Sequence, residues 1–278
     1  MSRIKKIRHQ KYFARVLCGL GALCILLVIF FALPKIGMYK KAVTALWGAQ
    51  HPALAYYLNR DDAGLAMRVG DYYFGGGAYD LGKAEHSYRL ALELKPGILW
   101  GNYQLGRIYF VEGKLDSAIQ EINAELVANP TNLRSLYVRA LIEDAQRNLP
   151  AAEADFTRFI AWAPTEWAGY NDLSFVLAEE WKFSQAEQVI AQAMKQVPGA
   201  AGNPWLWNSL GLAQLNELHY TEAQASFAQA QKSAQAMTPE VWHHAYPGND
   251  PAASSASIEA FKKAIAANLE TAQKGNHI

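Results

Sequence analysis

The chain has 278 residues, with 26 basic and 25 acidic side chains and a formal net charge of +1 at pH 7. Nine basic residues and no acidic ones fall within residues 1–41, so the rest of the chain carries 17 basic and 25 acidic residues, a net charge of −8. This acidic remainder argues against nucleic-acid binding, because contacts with phosphates need clustered cations.

The N-terminal segment combines a basic head with an apolar run. Residues 1–15 include six basic residues, and residues 16–33 form an 18-residue run without charge. At about 1.5 Å per residue, such a run roughly spans the hydrocarbon core of a bilayer. A cleaved secretory signal shares this pattern, but the run is longer than a typical signal core and no A-x-A site follows it. We therefore predict one retained transmembrane helix over residues 16–33.

Basic residues beside the span predict its orientation. Six precede it and three follow it, so residues 1–15 are predicted to be a cytoplasmic tail. The rest of the chain is then expected outside the cytoplasmic membrane, in the periplasm or at the cell surface. Both cysteines, Cys18 and Cys24, lie in the predicted span, so the exterior part needs no disulfide and offers no thiolate metal site.

Residues 34–62 are predicted to be a helical connector, and a 34-residue period follows them. Prolines recur at this interval, each preceded by an alanine 12 residues earlier and a bulky apolar residue eight residues earlier. A fixed period of this size is typical of stacked repeats. The three slots hold Pro96, Pro130, Pro164 and Pro198; Ala84, Ala118, Ala152 and Ala186; and Tyr88, Ile122, Phe156 and Ile190.

Two further stretches extend the pattern. Leu105-Gly106 is followed by Tyr109, and Trp207 is followed by Leu210-Gly211. With the alanine and proline slots, they resemble the tetratricopeptide repeat (TPR), W-x2-L-G-x2-Y, then A-x3-F, then P. The resemblance implies an all-α fold, a right-handed superhelix or α-solenoid of about five helix pairs over residues 63–237. The implied copies are 63–98, 99–132, 133–166, 167–200 and 204–237.

The C-terminal part departs from the repeat. Residues 238–253 contain several prolines and a glycine, so we predict a loop there. Residues 254–278 place apolar side chains on one helical face, at Ile258, Phe261, Ile265 and Leu269. Since the last repeat of a solenoid needs its apolar face covered, we predict a capping helix followed by a short tail.

The sequence contains no recognisable catalytic or metal-binding motif. Its seven histidines form no H-E-x-x-H pattern, and the nucleophile-elbow, P-loop and dinucleotide-binding motifs are missing. The adjacent pair His243-His244 is a poor metal site, because neighbouring side chains point apart. We therefore expect a protein that is not an enzyme and uses neither a cofactor nor a metal.

In the TPR family, the first helix of each repeat lines a concave groove, and the resemblance implies which side chains point into it. Tryptophan, tyrosine and arginine are typical of binding hot spots, and asparagine offers a peptide backbone both a donor and an acceptor. The alternative is that the aromatic side chains merely fill the inner wall. The family's carboxylate clamp uses lysine and asparagine at such slots, and that pattern is missing here. The candidate partner-binding residues are Trp100, Tyr103, Arg107, Phe110, Arg134, Tyr137, Asn171, Phe175, Trp205 and Asn208.

These features favour a membrane-anchored scaffold or adaptor that binds an extended peptide or protein partner in the cell envelope. One alternative is a periplasmic assembly chaperone, a holdase that binds many apolar segments weakly. Another is an accessory subunit of a secretion or envelope-polymer machine that docks through its convex face. All three require a protein partner and neither nucleic acid nor a small-molecule cofactor.

Overall fold

A computed structural model describes residues 51–75, 79–245 and 251–275. The predicted tail, the predicted span at 16–33 and the first part of the connector lie outside these residues. Within them the chain forms 13 α-helices and no strand. None of the helices in these three ranges combines the length and the apolar character needed to cross a membrane.

The described helices follow one another with short connections. In chain order they are α1 (Pro52–Leu58), α2 (Ala63–Phe74), α3 (Leu81–Leu94), α4 (Gly101–Val111), α5 (Leu115–Ala128), α6 (Leu133–Ala145), α7 (Leu149–Trp162), α8 (Trp167–Glu179), α9 (Phe183–Gln196), α10 (Pro204–Asn216), α11 (Tyr220–Ala234), α12 (Pro239–Ala245) and α13 (Ser254–Gln273).

Ten of these helices form five successive pairs, α2–α3 to α10–α11. Within each pair the two helices pack on each other, and each second helix also packs on the first helix of the next pair. One apolar core runs continuously from Phe74 to Ala213 across the first four pairs into α10, and the repeated alanines are fully buried within it. The predicted all-α stack of helix pairs is confirmed.

The small residue in the Leu-Gly slot permits the close approach of paired helices. A Cβ atom at Gly106 would lie 2.6 Å from Ile122 Cδ1, and one at Gly211 would lie 2.6 Å from an atom of the Phe227 ring. These distances are shorter than carbon atoms tolerate, so a side chain at either position would push the two helices of its pair apart. The spacing seen in the sequence is thus a packing requirement.

The turn inside a helix pair uses a left-handed backbone at one repeated slot. Gly113, Arg147, Trp181 and Leu218 occupy it, with φ values of 72°, 62°, 61° and 65°. Glycine adopts this region without penalty, whereas the other three each cost about 1 kcal/mol of backbone strain. The stacked pairs therefore impose the turn geometry even where the local sequence disfavours it.

The C-terminal helix α13 packs on α10 and α11. Ile258, Ile265 and Ala272 are buried, and Phe261 and Leu269 are partly buried against the last pair. Before α13, residues 238–253 were predicted to be a loop, but residues 239–245 form the short helix α12. Its N-terminus has the required capping chemistry, because Pro239 takes the first position and Thr238 Oγ1 accepts a hydrogen bond from the Val241 N–H at 3.3 Å.

Candidate partner-binding groove

The first helices of the early repeats enclose a groove whose cavity measures about 530 Å³. Tyr103 and Arg107 reach it from α4, and Arg134 and Tyr137 reach it from α6. Four of the ten candidate residues therefore line one space. Asp71 lies in the same wall, where it accepts hydrogen bonds from the Tyr88 hydroxyl and from Gln104 Nε2 at 2.8 and 2.9 Å.

A buried carboxylate fixes the start of α4. Glu125 on α5 is 1% exposed and accepts hydrogen bonds from the backbone N–H of Trp100, at 3.0 and 3.1 Å, and of Tyr103, at 3.4 Å. The Asn132 side chain, which caps α6, donates to the same carboxylate at 3.3 Å. Glu125 thereby satisfies donors that the first turn of a helix leaves free, and it holds the backbone of two candidate residues, Trp100 and Tyr103.

The guanidinium of Arg107 is packed between aromatic rings. Its Cζ lies 4.4 Å from the centre of the Phe74 ring and 5.5 Å from that of Tyr103. Nη1 donates to Gln104 Oε1 at 2.7 Å, whereas Nε is buried without a hydrogen-bond partner in the described residues. No carboxylate of these residues pairs with the arginine, so its charge remains available at the cavity wall.

Arg134 is more exposed and lies beside Trp100. Its Cζ is 5.8 Å from the centre of the Trp100 ring, and that ring meets Tyr103 edge-on at 5.4 Å. Trp100 itself is 39% exposed. Arg134, like Arg107, forms no ion pair within the described ranges. Two arginines without an ion-pair partner in the described ranges therefore lie close to the rings of Trp100 and Tyr103.

Tyr137 and Asn171 belong to a buried polar network. The Tyr137 hydroxyl donates to Asp172, the Asn171 amide donates to the other oxygen of Asp172 at 2.9 Å, and the Ser209 hydroxyl donates to Asn171 Oδ1 at 2.8 Å. The network joins α6, α8 and α10 across the groove wall. Both side chains make these bonds within the chain, and their role toward a partner stays a prediction.

The last repeat's candidate residues are covered by the C-terminal segment. Trp205 stacks on Trp167 at 4.8 Å and also contacts the rings of Trp242 and Phe261, each at 5.8 Å. Asn208 Oδ1 accepts a hydrogen bond from Asn268 of α13 at 3.1 Å. In this conformation the fifth repeat therefore offers neither residue as an open surface.

Phe110 and Phe175, like Trp100, Asn171, Trp205 and Asn208, do not line the cavity. Phe110 is half-buried and packs against the main core, which agrees with the alternative that some aromatic slots serve packing. Phe175 is 51% exposed on α8. The sequence also gave no sign that α12 belongs to the site, yet His243, His244 and Ala245 form part of the cavity wall.

Several carboxyl groups lie close together on α6 and α8, among them Glu143 and Asp144 of α6. Burial, with repulsion from Glu179 and Asp172, raises the pKa of Asp144 to about 6, although Arg147 opposes the shift. Burial, with repulsion from Asp155, likewise raises the pKa of Glu143 to about 7. One carboxylate oxygen of each side chain is buried without a hydrogen-bond partner in the described residues. Ionisation of these groups therefore destabilises the fold.

We expect Asp144→Asn to make the protein less sensitive to rising pH. A carboxyl whose folded pKa is raised contributes stability that is fully present below its unfolded value near 4 and is lost as the pH rises through about 6. Urea unfolding at pH 4.5 and 7.5 should show the variant gaining on the wild type at the higher pH. Glu93→Gln, at an exposed site, is the control, and an identical pH dependence of Asp144→Asn and wild type would contradict the assignment.

No protein-family model matches the chain, and no curated protein does. Solved structures do match it. YrrB, described as a TPR protein with an unusual peptide-binding site, is 18% identical with a TM-score of 0.54, and the match covers 68% of this chain and 94% of YrrB. A tetratricopeptide repeat protein from Parabacteroides merdae is 17% identical with a TM-score of 0.57, covering 92% of this chain and 96% of that one.

A third match is pilF of Pseudomonas aeruginosa, at 14% identity and a TM-score of 0.55, which covers 75% of this chain and 90% of pilF. At these identities the similarity establishes the fold, and the functions of the matched proteins are not transferred to this chain. The chain has the TPR fold, as the resemblance in its sequence implied. Stacked repeats of this kind present an extended concave surface.

Proposed function

We propose that the chain is a non-catalytic scaffold that binds an extended protein segment in the groove of its second and third repeats. The observation that carries the proposal is the pair Arg107 and Arg134, which lie against aromatic rings and form no ion pair in the described segments. By contrast, Arg139 and Arg147 form ion pairs, with Asp155 and Glu179. The two groove arginines therefore offer positive charge that an acidic ligand could neutralise.

The side chains of the groove indicate the chemistry of the partner. The arginines suit acidic side chains or backbone carbonyl groups, and Trp100 with Tyr103 suits an apolar side chain. Since α12 and α13 cover Trp205 and Asn208, the partner binds at the early repeats. The peptide-binding site described for YrrB supports a peptide ligand for a groove of this fold.

Photo-crosslinking from the groove tests this function. A photoreactive phenylalanine replacing Trp100 should capture one partner in intact cells. The same residue replacing Val127, which is 83% exposed on the second helix of that repeat, should not. Capture from position 127 alone would favour docking through the opposite face, as in an accessory subunit. Capture of many unrelated chains from position 100 would favour the holdase.

The place of the scaffold in the cell is a separate part of the proposal. The uncharged run at residues 16–33 and the six-to-three excess of basic residues before it support a retained anchor, with the repeats outside the cytoplasmic membrane. A reporter that is active only after export, fused after residue 278, should be active in intact cells. Cytoplasmic labelling of the repeats, or a mature chain that begins near residue 34, would contradict this placement.

A further inference from the structure

We propose that Glu187, Glu217 and His219 form a binding site for Zn²⁺ or a similar transition-metal ion between the fourth and fifth helix pairs. Glu187 comes from α9, whereas Glu217 and His219 flank Leu218 in the turn between α10 and α11. One ligand atom from each side chain lies within 4.8 Å of the other two. None of the three lines the groove cavity, so this site is separate from the proposed partner-binding site.

The three ligand atoms, one histidine nitrogen and two carboxylate oxygens, indicate which class of metal would bind. Imidazole nitrogen combined with carboxylate oxygen suits zinc and its neighbours, whereas magnesium and calcium prefer oxygen alone. In a tetrahedral site with bonds of about 2.1 Å, ligand atoms lie about 3.4 Å apart. His219 Nδ1 and Glu217 Oε2 are already 3.7 Å apart. Small side-chain rotations would therefore bring all three donors to the ion, and water would complete its coordination.

Hydrogen bonds around the cluster hold one of its carboxylates in place. Gln214, which is buried, donates from Nε2 to Glu187 Oε1 at 3.1 Å and accepts a hydrogen bond from the Ser226 hydroxyl at 2.8 Å. Such outer hydrogen bonds orient metal-binding carboxylates. No lysine or arginine of the described segments pairs with Glu187 or Glu217, so two negative charges converge without compensation and favour a divalent cation.

The location suggests what the ion does. A three-residue insertion, residues 201–203, interrupts the 34-residue period between the fourth and fifth pairs, and it overlaps the 3-10 turn Ala200–Gly202. An ion bound by α9 of the fourth pair and by the α10–α11 turn of the fifth pair would connect the two pairs. Because it binds only the folded arrangement, it stabilises the stacking of the two pairs.

Calorimetric titration of the full chain with Zn²⁺ and with Mg²⁺ tests the site. The wild type should bind one Zn²⁺ at this site, more tightly than Mg²⁺. The variants Glu187→Gln, Glu217→Gln and His219→Ala should each weaken that zinc binding by more than about 10-fold. Zinc should raise the melting temperature of the wild type and leave that of the three variants unchanged.

Two controls make the result decisive. The double variant His243→Ala, His244→Ala removes the adjacent histidines at the groove cavity and should bind zinc normally. Glu187→Gln keeps an oxygen acceptor for Gln214, so circular dichroism should show an unchanged helical fold. Absence of micromolar zinc binding in the wild type would overturn the proposal. So would zinc binding that survives all three substitutions, is lost with the histidine pair, or is weaker than magnesium binding.

Discussion

Replacing Glu125 with alanine is expected to lower the free energy of unfolding by about 3 kcal/mol. The carboxylate is 1% exposed and serves as acceptor for two backbone N–H groups and one side-chain amide. Alanine leaves these donors without an acceptor in the interior, and each buried unsatisfied group costs about 1–3 kcal/mol. Water entering the vacated space would offset part of the total cost of the three unsatisfied donors. Equilibrium unfolding in urea measures the loss.

Two further variants separate the hydrogen bonds from the change of residue type. Glu125→Gln keeps one acceptor oxygen and loses the charge, so we expect about half of the effect. Glu93→Ala removes an exposed glutamate from the second helix of the preceding repeat and should change stability by less than about 0.5 kcal/mol. If Glu125→Ala proved as stable as Glu93→Ala, the carboxylate would have no role in holding the start of α4.

The helix pairs could be predicted from the sequence because their determinants are local and repeat. A buried alanine and a bulky residue one helical turn later recur in each copy, so the copies together reinforce a signal that would be weak in one. Gly106 shows why the slot is small, since a Cβ atom there would lie 2.6 Å from Ile122 and the neighbouring helix or its side chain would have to shift. The small residue at this slot therefore reflects how closely the two helices of a pair approach each other.

The contents of the groove were harder to predict, because they depend on contacts between residues far apart in the chain. Glu125 meets the Trp100 backbone across 25 residues, and Asn268 meets Asn208 across 60. No repeat slot marks either partner. The resemblance to the TPR family implied which side chains point inward, and Tyr103 and Arg107 do so. It carried no information on α12 or α13, which lie outside the repeated unit.

The proposed metal-binding cluster could not be predicted from sequence motifs for the same reason. His219 has a glutamate two residues before it, which is not the H-E-x-x-H pattern, and the third residue of the cluster, Glu187, lies in the preceding repeat. Stacking brings the two repeats together, and the left-handed turn at Leu218 lies between the other two donors. In a solenoid, residues from successive repeats can thus form sites that a search within one repeat overlooks.

Reversing the charge of Arg134 is expected to reduce partner capture at least 10-fold, with little effect on folding. Arg134 is exposed and touches the structure chiefly through the Trp100 ring, so Arg134→Glu should change stability by less than about 0.5 kcal/mol. The new carboxylate would repel an acidic or carbonyl-bearing segment at the point where the arginine attracts it. Arg107→Glu is less informative, because Arg107 packs against Phe74 and its replacement should also lower stability.

Arg158 provides the matched control for this experiment. It is an exposed arginine whose Cζ lies 5.1 Å from the centre of the Trp162 ring, on the second helix of the third repeat. Arg158→Glu makes the same change of charge beside an equivalent ring, away from the groove cavity, and should leave capture intact. Crosslink yield from position 100 and thermal stability are measured together for both variants. A folded Arg134→Glu protein that captures its partner as well as Arg158→Glu does would reject the groove of repeats two and three as the binding site.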